Sequence, residues 1–302
     1  MQALEHDPLG APFSAGTGRT SIDVPAGACD CHVHVYDSRY PAVPGARLTP
    51  SDASVVDYRQ LQRRTGTERV VFVTPSTYGT DNGAMRAALA AFGDRARGVA
   101  VIDEQIGEAE LRALHDIGVR GIRMNLSLGV THSLDQLEAL ARRVAPLGWH
   151  LQLLAPPDVL AALASRLVQL PVPVVFDHLA RIAPSQAGTH PAHRWVLRML
   201  DSGRAWVKLS GAYIVSEAGP PGYADVDALA RSYLAAAPER VVWGSDWPHV
   251  SATAGHQPMP DDARQIELLA GWTRTADALR RVLVANPAVL YGFDLPPLEE
   301  RP

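Results

Sequence analysis

The chain has 302 residues, 47% hydrophobic and 20% charged, with a formal net charge of −4, which excludes a disordered polypeptide and offers no basic surface for nucleic acid. No apolar run reaches membrane-spanning length, and Met1 to Gly18 lacks the basic and apolar regions of a secretory signal. The only two cysteines, Cys29 and Cys31, stand two apart on one strand, too far along it for an unstrained disulfide, so they read as packing residues in a soluble, cytoplasmic protein.

A polar, Gly-rich arm over residues 1–25 leads into an alternation of apolar runs and amphipathic stretches. The strands expected are Ala28–Val33, Arg69–Thr74, Gly98–Ile102, Gly121–Met124, His150–Leu154, Val172–Asp177, Trp206–Leu209 and Val241–Trp243. Between them, three- and four-residue apolar spacing predicts helices over Ser54–Thr65, Asn82–Phe92, Gly107–Ile117, Leu134–Val144, Pro157–Leu167, Ala192–Leu200 and Tyr223–Ala236. Val250–Pro260 reads as a mobile loop, followed by helices over Asp261–Trp272 and Thr275–Leu283 and a closing Asn286 to Phe293. Eight strands alternating with helices predict one domain over residues 1–302, an α/β fold of the (β/α)₈ TIM barrel type, distorted and with extra C-terminal helices. The runner-up, an open doubly wound sheet, needs a Gly-rich phosphate loop after an early strand, and the sequence has none.

In such a barrel the active site lies at the carboxyl ends of the strands. Strand one offers His32 and His34, whose i, i+2 spacing sends both imidazoles to one face of a regular strand. Strand eight runs into Asp246, is broken by Pro248 and continues to His249. If the first and last strands are neighbours in a closed barrel, His32, His34 and Asp246 converge, and His178 arrives from the end of strand six. Arg123, at the end of strand four, reads as a fork for an anion, and Arg181 similarly. Ser76 and Tyr78 follow strand two, and Tyr213 follows strand seven. Tyr78 and Tyr213 stand evenly between substrate contact and wall packing, and His249 between the site and its support. Gln152 projects from strand five. Lys208, within strand seven, reads as a structural lysine paired with an acid. Asp30 and Asp177 read as carboxylates that hold neighbouring strands, with Asp177 on the opposite face from His178. Trp243 and Trp247 read as packing residues.

Asp30-Cys31-His32-Val33-His34, Asp177-His178-Leu179, Trp243-Gly244-Ser245-Asp246-Trp247-Pro248-His249 and the ending Asn286-Pro287 to Leu290-Tyr291-Gly292-Phe293 resemble, in this order, the amidohydrolase-2 branch of the amidohydrolase superfamily. Leu48 to Ser54, Gly79 to Asn82, Arg120 to Arg123 and Pro260 to Asp262 are similar to the 2-pyrone-4,6-dicarboxylate lactonases and their sugar-lactone hydrolase and galactarolactone isomerase relatives. The resemblance implies that Asp246 is the base that activates water and that His32, His34 and His178 surround the reacting carbonyl. It further implies that Arg123 and Ser76 bind a substrate carboxylate, with Arg181 close by. The pyrone dicarboxylate lactonases carry additional anion-binding groups where this chain reads Leu48, Ser127-Leu128-Gly129 and Tyr213-Ile214, which favours a less anionic lactone.

The expected reaction is hydrolysis of a small carboxylated lactone from sugar-acid or aromatic catabolism. The alternatives are a lactone isomerase with almost the same site, a metal-dependent decarboxylase of the same branch, and a ligand-binding barrel without catalysis. No cofactor is expected to be required, although His32, His34 and Asp246 could hold a single divalent metal such as zinc. Strand four offers no Lys or Glu to bridge two metals, only Arg123. No nucleic-acid or membrane partner is expected, and a homo-oligomer is possible.

Overall fold

The computed structural model describes residues 9–127 and 136–295, so residues 1–8 of the arm, Leu134, and Leu128 and Gly129 after strand four lie outside the described residues. Eight parallel strands run in the order β1 to β8: β1 Cys29–Val33, β2 Arg69–Val73, β3 Ala96–Ala100, β4 Val119–Asn125, β5 His150–Leu154, β6 Val174–Phe176, β7 Ala205–Leu209 and β8 Val241–Trp243. The helices between them are α1 Val55–Thr65, α2 Gly83–Phe92, α3 Glu108–Asp116, α4 Gln136–Val144, α5 Pro157–Leu167, α6 Pro191–Asp201, a short α7 Ala212–Val215 and α8 Val226–Ala236. This is the expected barrel. The third strand begins two residues earlier than the sequence suggested, because Ala96 and Arg97 already pair with Val70 and Val71. The sixth shrinks to three residues after Pro173, whose ring removes a ladder donor.

Local chemistry fixes the boundaries. The Ser54 hydroxyl accepts from the Asp57 amide while the Asp57 carboxylate accepts from the Ser54 amide, a reciprocal cap that starts α1, and Gly66 at φ 74° ends it. Beyond β8, Val250–Thr253 forms a short helix α9, where a loop was expected. Then come α10 Asp262–Thr273, capped by Asp261, and α11 Ala276–Arg280. A π-type turn over Arg281–Ala285 joins α11 to α12 Asn286–Tyr291, so the expected break between helix and closing segment is a continuous run. Asn286 Nδ2 donates to the carbonyls of Pro238, at 2.8 Å, and Val241, at 2.6 Å, which ties the C-terminal helix to the start of β8.

Two apolar layers result. One lies between strands and helices, and the other fills the barrel with Cys29, Cys31, Val71, Val99, Val175 and Val242, closed by Tyr291 and Phe293. Both thiols are free and buried in this inner layer, as packing residues. Phe293 seats between the guanidinium groups of Arg69 and Arg97, at 5.3 and 4.5 Å from its ring centre. This end of the chain stoppers the barrel at the amino ends of the strands, leaving the carboxyl ends open.

Candidate active site

β1 carries a bulge: Asp30 pairs with Val70 but Val33 with Phe72, so one strand spends a residue more than the other. The extra residue resets the pleat. Cys29 and Cys31 point into the barrel, and so do His32 and His34, which strict alternation from the cysteines would not allow. Beyond β8 the chain keeps contact with β1. The Asp246 amide donates to the His32 carbonyl at 2.9 Å and the His34 amide to the Trp247 carbonyl at 2.8 Å. Asp30 fastens this seam, its Oδ1 accepting from the amides of Ser245, at 2.9 Å, and His32, at 3.2 Å, and its Oδ2 from the Tyr58 hydroxyl at 3.2 Å. Burial pushes the Asp30 carboxyl up to about 6, against those hydrogen bonds. Gly244 is required here, because a Cβ on it would fall 2.6 Å from His32 Cβ.

The seam brings the functional atoms together. His32 Nε2 lies 3.3 Å from His34 Nε2, and Asp246 Oδ1 lies 3.6 Å from His32 Nε2, 3.9 Å from His34 Nε2 and 3.7 Å from His178 Nε2. His34 Nδ1 donates to the Val73 carbonyl at 2.7 Å, which leaves its Nε2 lone pair facing the cluster. Burial, reinforced by the charge of Arg123, lowers the His34 pKa to about 3. Burial also lowers His178, to about 4 against the pull of Asp246. Both rings are therefore neutral at neutral pH. Asp246 has φ 70°, and its Oδ2 accepts from the Tyr213 hydroxyl at 2.7 Å. Behind Tyr213, His249 Nε2 pairs with Asp262 Oδ2 at 3.0 Å.

His178 begins a run of four residues with positive φ, His178 at 49°, Leu179 at 54°, Ala180 at 55° and Arg181 at 58°. Each such non-glycine residue costs about 1–2 kcal/mol, so the left-handed turn must be held from outside. The Tyr233 hydroxyl donates to the Leu179 carbonyl at 3.0 Å, and the His178 ring meets Ser210 Oγ at 2.9 Å through Nδ1. The turn swings His178 over His32, ring centres 4.7 Å apart, and puts Arg181 on the cavity. It also overturns the expected placement of Asp177 and His178 on opposite faces, since both reach the His32 ring.

Under these groups lies a buried charged network. Asp177 Oδ2 accepts from Arg123 Nε at 3.2 Å and from Gln152 Nε2 at 3.1 Å, while its Oδ1 lies 3.4 Å from His32 Nδ1. Burial pushes the Asp177 carboxyl up, but the ammonium of Lys208 and the guanidinium of Arg123 hold it well below the usual range. Lys208 Nζ donates to the Cys31 carbonyl and to Gln152 Oε1, at 2.8 and 2.7 Å, and stands 3.9 Å from Asp177. Burial lowers its pKa to about 8, which leaves it an ammonium at neutral pH.

A cavity of about 770 Å³, open to solvent, sits over the cluster. His34, His178, Asp246, Arg123, Ser76 and Arg181 line it. His32 is fully buried behind them. Tyr213 meets the site through its hydrogen bond to Asp246, and His249 packs against the Tyr213 ring. Tyr78 belongs to the wall: its hydroxyl accepts from the Asp37 amide at 2.8 Å, and its ring packs on Tyr36 and Tyr40. Trp243 and Trp247 are buried packing residues. Tyr36, Arg47, Asn125 and Ser251 also line the cavity and were not singled out in the sequence. Asn125 was within reach of the same argument as the histidine pair, being two residues beyond Arg123 on β4; its Nδ2 donates to Ser76 Oγ at 2.9 Å.

The donor atoms suit a metal in spacing. His32, His34 and Asp246 each offer one, all within 4.8 Å of one another. The 3.3 Å between the two imidazole nitrogens matches the edge of a tetrahedron with metal–nitrogen bonds of about 2.0 Å, while Asp246 Oδ1 stands 3.6 and 3.9 Å from them. Two cations, Lys208 and Arg123, stand close by.

Comparison with known proteins gives this chain named relatives. The family model described as Amidohydrolase matches residues 29–293. A 2-pyrone-4,6-dicarboxylate hydrolase of Comamonas testosteroni is 33% identical, over 96% of this chain and 98% of its own length. A D-galactarolactone isomerase of Agrobacterium fabrum is 35% identical, over 88% of this chain and 91% of its own. A crystal structure of an Agrobacterium tumefaciens protein in its apo form superposes with a TM-score of 0.81 at 33% identity, covering 90% of this chain and 98% of that one.

Proposed function

The chain belongs to the amidohydrolase family, and from that premise we propose that it opens the ring of a carboxylated lactone by hydrolysis. One observation carries the reading: Asp246 faces three imidazoles that burial holds neutral, and Arg123 and Ser76 stand on the same cavity. A carboxylate among neutral rings is a proton acceptor, and a guanidinium next to it is an anchor for a carboxylate.

In the step proposed, a water oxygen attacks the lactone carbonyl and gives its proton to Asp246, whose Oδ2 Tyr213 holds in place. Arg123 and the Nε2–H of His178, whose Nδ1 faces Ser210 Oγ, stabilise the developing oxyanion from fixed positions. The ring C–O bond then breaks, and the alkoxide takes a proton back from the site, leaving a hydroxy acid. His32, His34 and Asp246 would hold a single divalent ion if one binds, and it would polarise the carbonyl and acidify water. Every step described runs on the chain's own residues. Leu48 and Ile214 put carbon on the cavity wall where the pyrone dicarboxylate lactonases carry polar groups, which favours a lactone with less charge.

The isomerase reading keeps a specific support, the 35% identity to the D-galactarolactone isomerase. A panel of aldonolactones, aldarolactones, muconolactones and pyrones, with and without chelator, tests both. Ring-opened product with one ¹⁸O from labelled water is expected. A product that retains its ring supports isomerisation instead. Abolition of turnover by chelation overturns metal independence, and no turnover across the panel overturns the lactone reading.

A further inference from the structure

The geometry points to Lys208 as the residue that holds His32 in the tautomer that cannot bind a metal ion. Two of the three Lys208 N–H groups go to the Cys31 carbonyl and Gln152 Oε1, at 2.8 and 2.7 Å. The third faces His32 Nδ1 at 3.3 Å, and an ammonium has no lone pair to offer, so Nδ1 must accept. The ring proton of a neutral His32 then sits on Nε2.

The other side of the ring requires the same placement independently. His32 Nε2 and His34 Nε2 face each other at 3.3 Å, where two lone pairs would repel, so without an ion between them one nitrogen must carry a proton. His34 spends its own on the Val73 carbonyl, which can only accept. The proton between the rings therefore belongs to His32. One directed chain runs through the site, from Lys208 to His32 Nδ1, from His32 Nε2 to His34 Nε2, and from His34 Nδ1 to Val73.

A third observation is what this arrangement leaves over. Asp177 Oδ1, buried and 3.4 Å from His32 Nδ1, has no well-formed hydrogen bond among the described residues. If a metal took the Nε2 lone pair, the ring proton would move to Nδ1, Asp177 Oδ1 would gain its donor, and Lys208 would be pressed against an N–H. The His32 ring thus lies between a donor that favours the metal-free tautomer and an acceptor that favours metal. The group orienting the second nitrogen of a ligand histidine tunes metal affinity by about 10- to 100-fold.

Two measurements on the full-length protein decide this, and neither uses a substrate, so failure of the lactone reading would leave both standing. In ¹⁵N-histidine-labelled protein, long-range ¹H–¹⁵N spectra report the tautomer of His32, assigned by the signal lost in His32→Asn. We expect the proton on Nε2; a proton on Nδ1 in the metal-free wild type overturns the inference. Zinc affinity is measured by competition with a chelating dye, with metal content by mass spectrometry after dialysis. Lys208→Met should bind zinc about 100-fold more tightly than wild type. Equal affinities for wild type and Lys208→Met refute it. Should that variant fail to fold, Lys208→Gln, which has an acceptor to offer a protonated Nδ1, takes its place in the same zinc competition with the same expected direction.

Discussion

Gly244→Ala tests whether the seam between β1 and the segment beyond β8 sets the site. The added Cβ would lie 2.6 Å from His32 Cβ and 2.7 Å from His32 N, where ordinary contact begins at 3.4 Å. Neither neighbour is the end of a flexible side chain, so the two segments must part by about 0.8 Å. Hydrogen bonds of 2.9 Å (Asp246 to His32) and 2.8 Å (His34 to Trp247) then exceed useful length. Overpacking costs about 1–3 kcal/mol and two lost hydrogen bonds about 1 kcal/mol each, giving about 3–5 kcal/mol. For a chain of this size that corresponds to a melting temperature lower by about 5–8 °C. The same displacement separates Asp246 from the imidazoles, and misplacement by about 1 Å costs about 100-fold in rate. Thermal unfolding followed by circular dichroism, with kcat on the best lactone of the panel, measures both. A variant melting within about 1 °C of wild type with unchanged kcat would refute the seam argument.

Three further outcomes follow from the same geometry. Asp246→Asn should lose about 10²- to 10⁴-fold in kcat while melting like wild type, since the amide oxygen still accepts from Tyr213; retained activity would remove Asp246 as the base. Arg123→Gln should raise KM for carboxylated lactones more than for uncharged ones. It should also cost about 3 kcal/mol of stability, because Asp177 loses a buried partner; an equal KM change for both substrate types would refute the anchor role. The folded-state pKa values of His34 and His178, about 3 and about 4, lie below the unfolded imidazole value. Their contribution is therefore complete above pH about 6.5 and is lost as pH falls toward 3. Asp30, raised to about 6, acts in the opposite sense and offsets part of this. Urea midpoints should fall between pH 7.5 and pH 4.5, and a flat or rising profile would contradict the buried neutral imidazoles.

The strand ladder was legible because each inner run is apolar and each break is marked by Gly, Pro or a polar exit. His32, His34, His178, Asp246 and Arg123 were legible because they sit where barrel strands end. What could not be read has physical causes. Placing His32 and Cys31 on the same side needs a bulge, and a bulge is a pairing mismatch with β2 that no window of β1 contains. The left-handed run at His178 uses no glycine, so it has no composition signal; it is held by Tyr233, 54 residues away. Tyr78 and Tyr213 looked equivalent as tyrosines after strands, yet one hydroxyl is spent on Asp37 and the other on Asp246. The short third and sixth strand shifts arise from pairing partners and Pro173, both settled only once neighbours are in place.

Asp30 and Ser245, bonded across the seam, are 215 positions apart. Contacts of such separation form late, because their loop closure is compensated only after the intervening units have docked. The reactive cluster therefore exists only when the barrel has closed. A nascent chain still short of Val241 can hold seven strands and remain without Asp246, and in refolding, regained turnover should trail regained helical signal. Catalytic competence in this chain is a reporter of the final folding event.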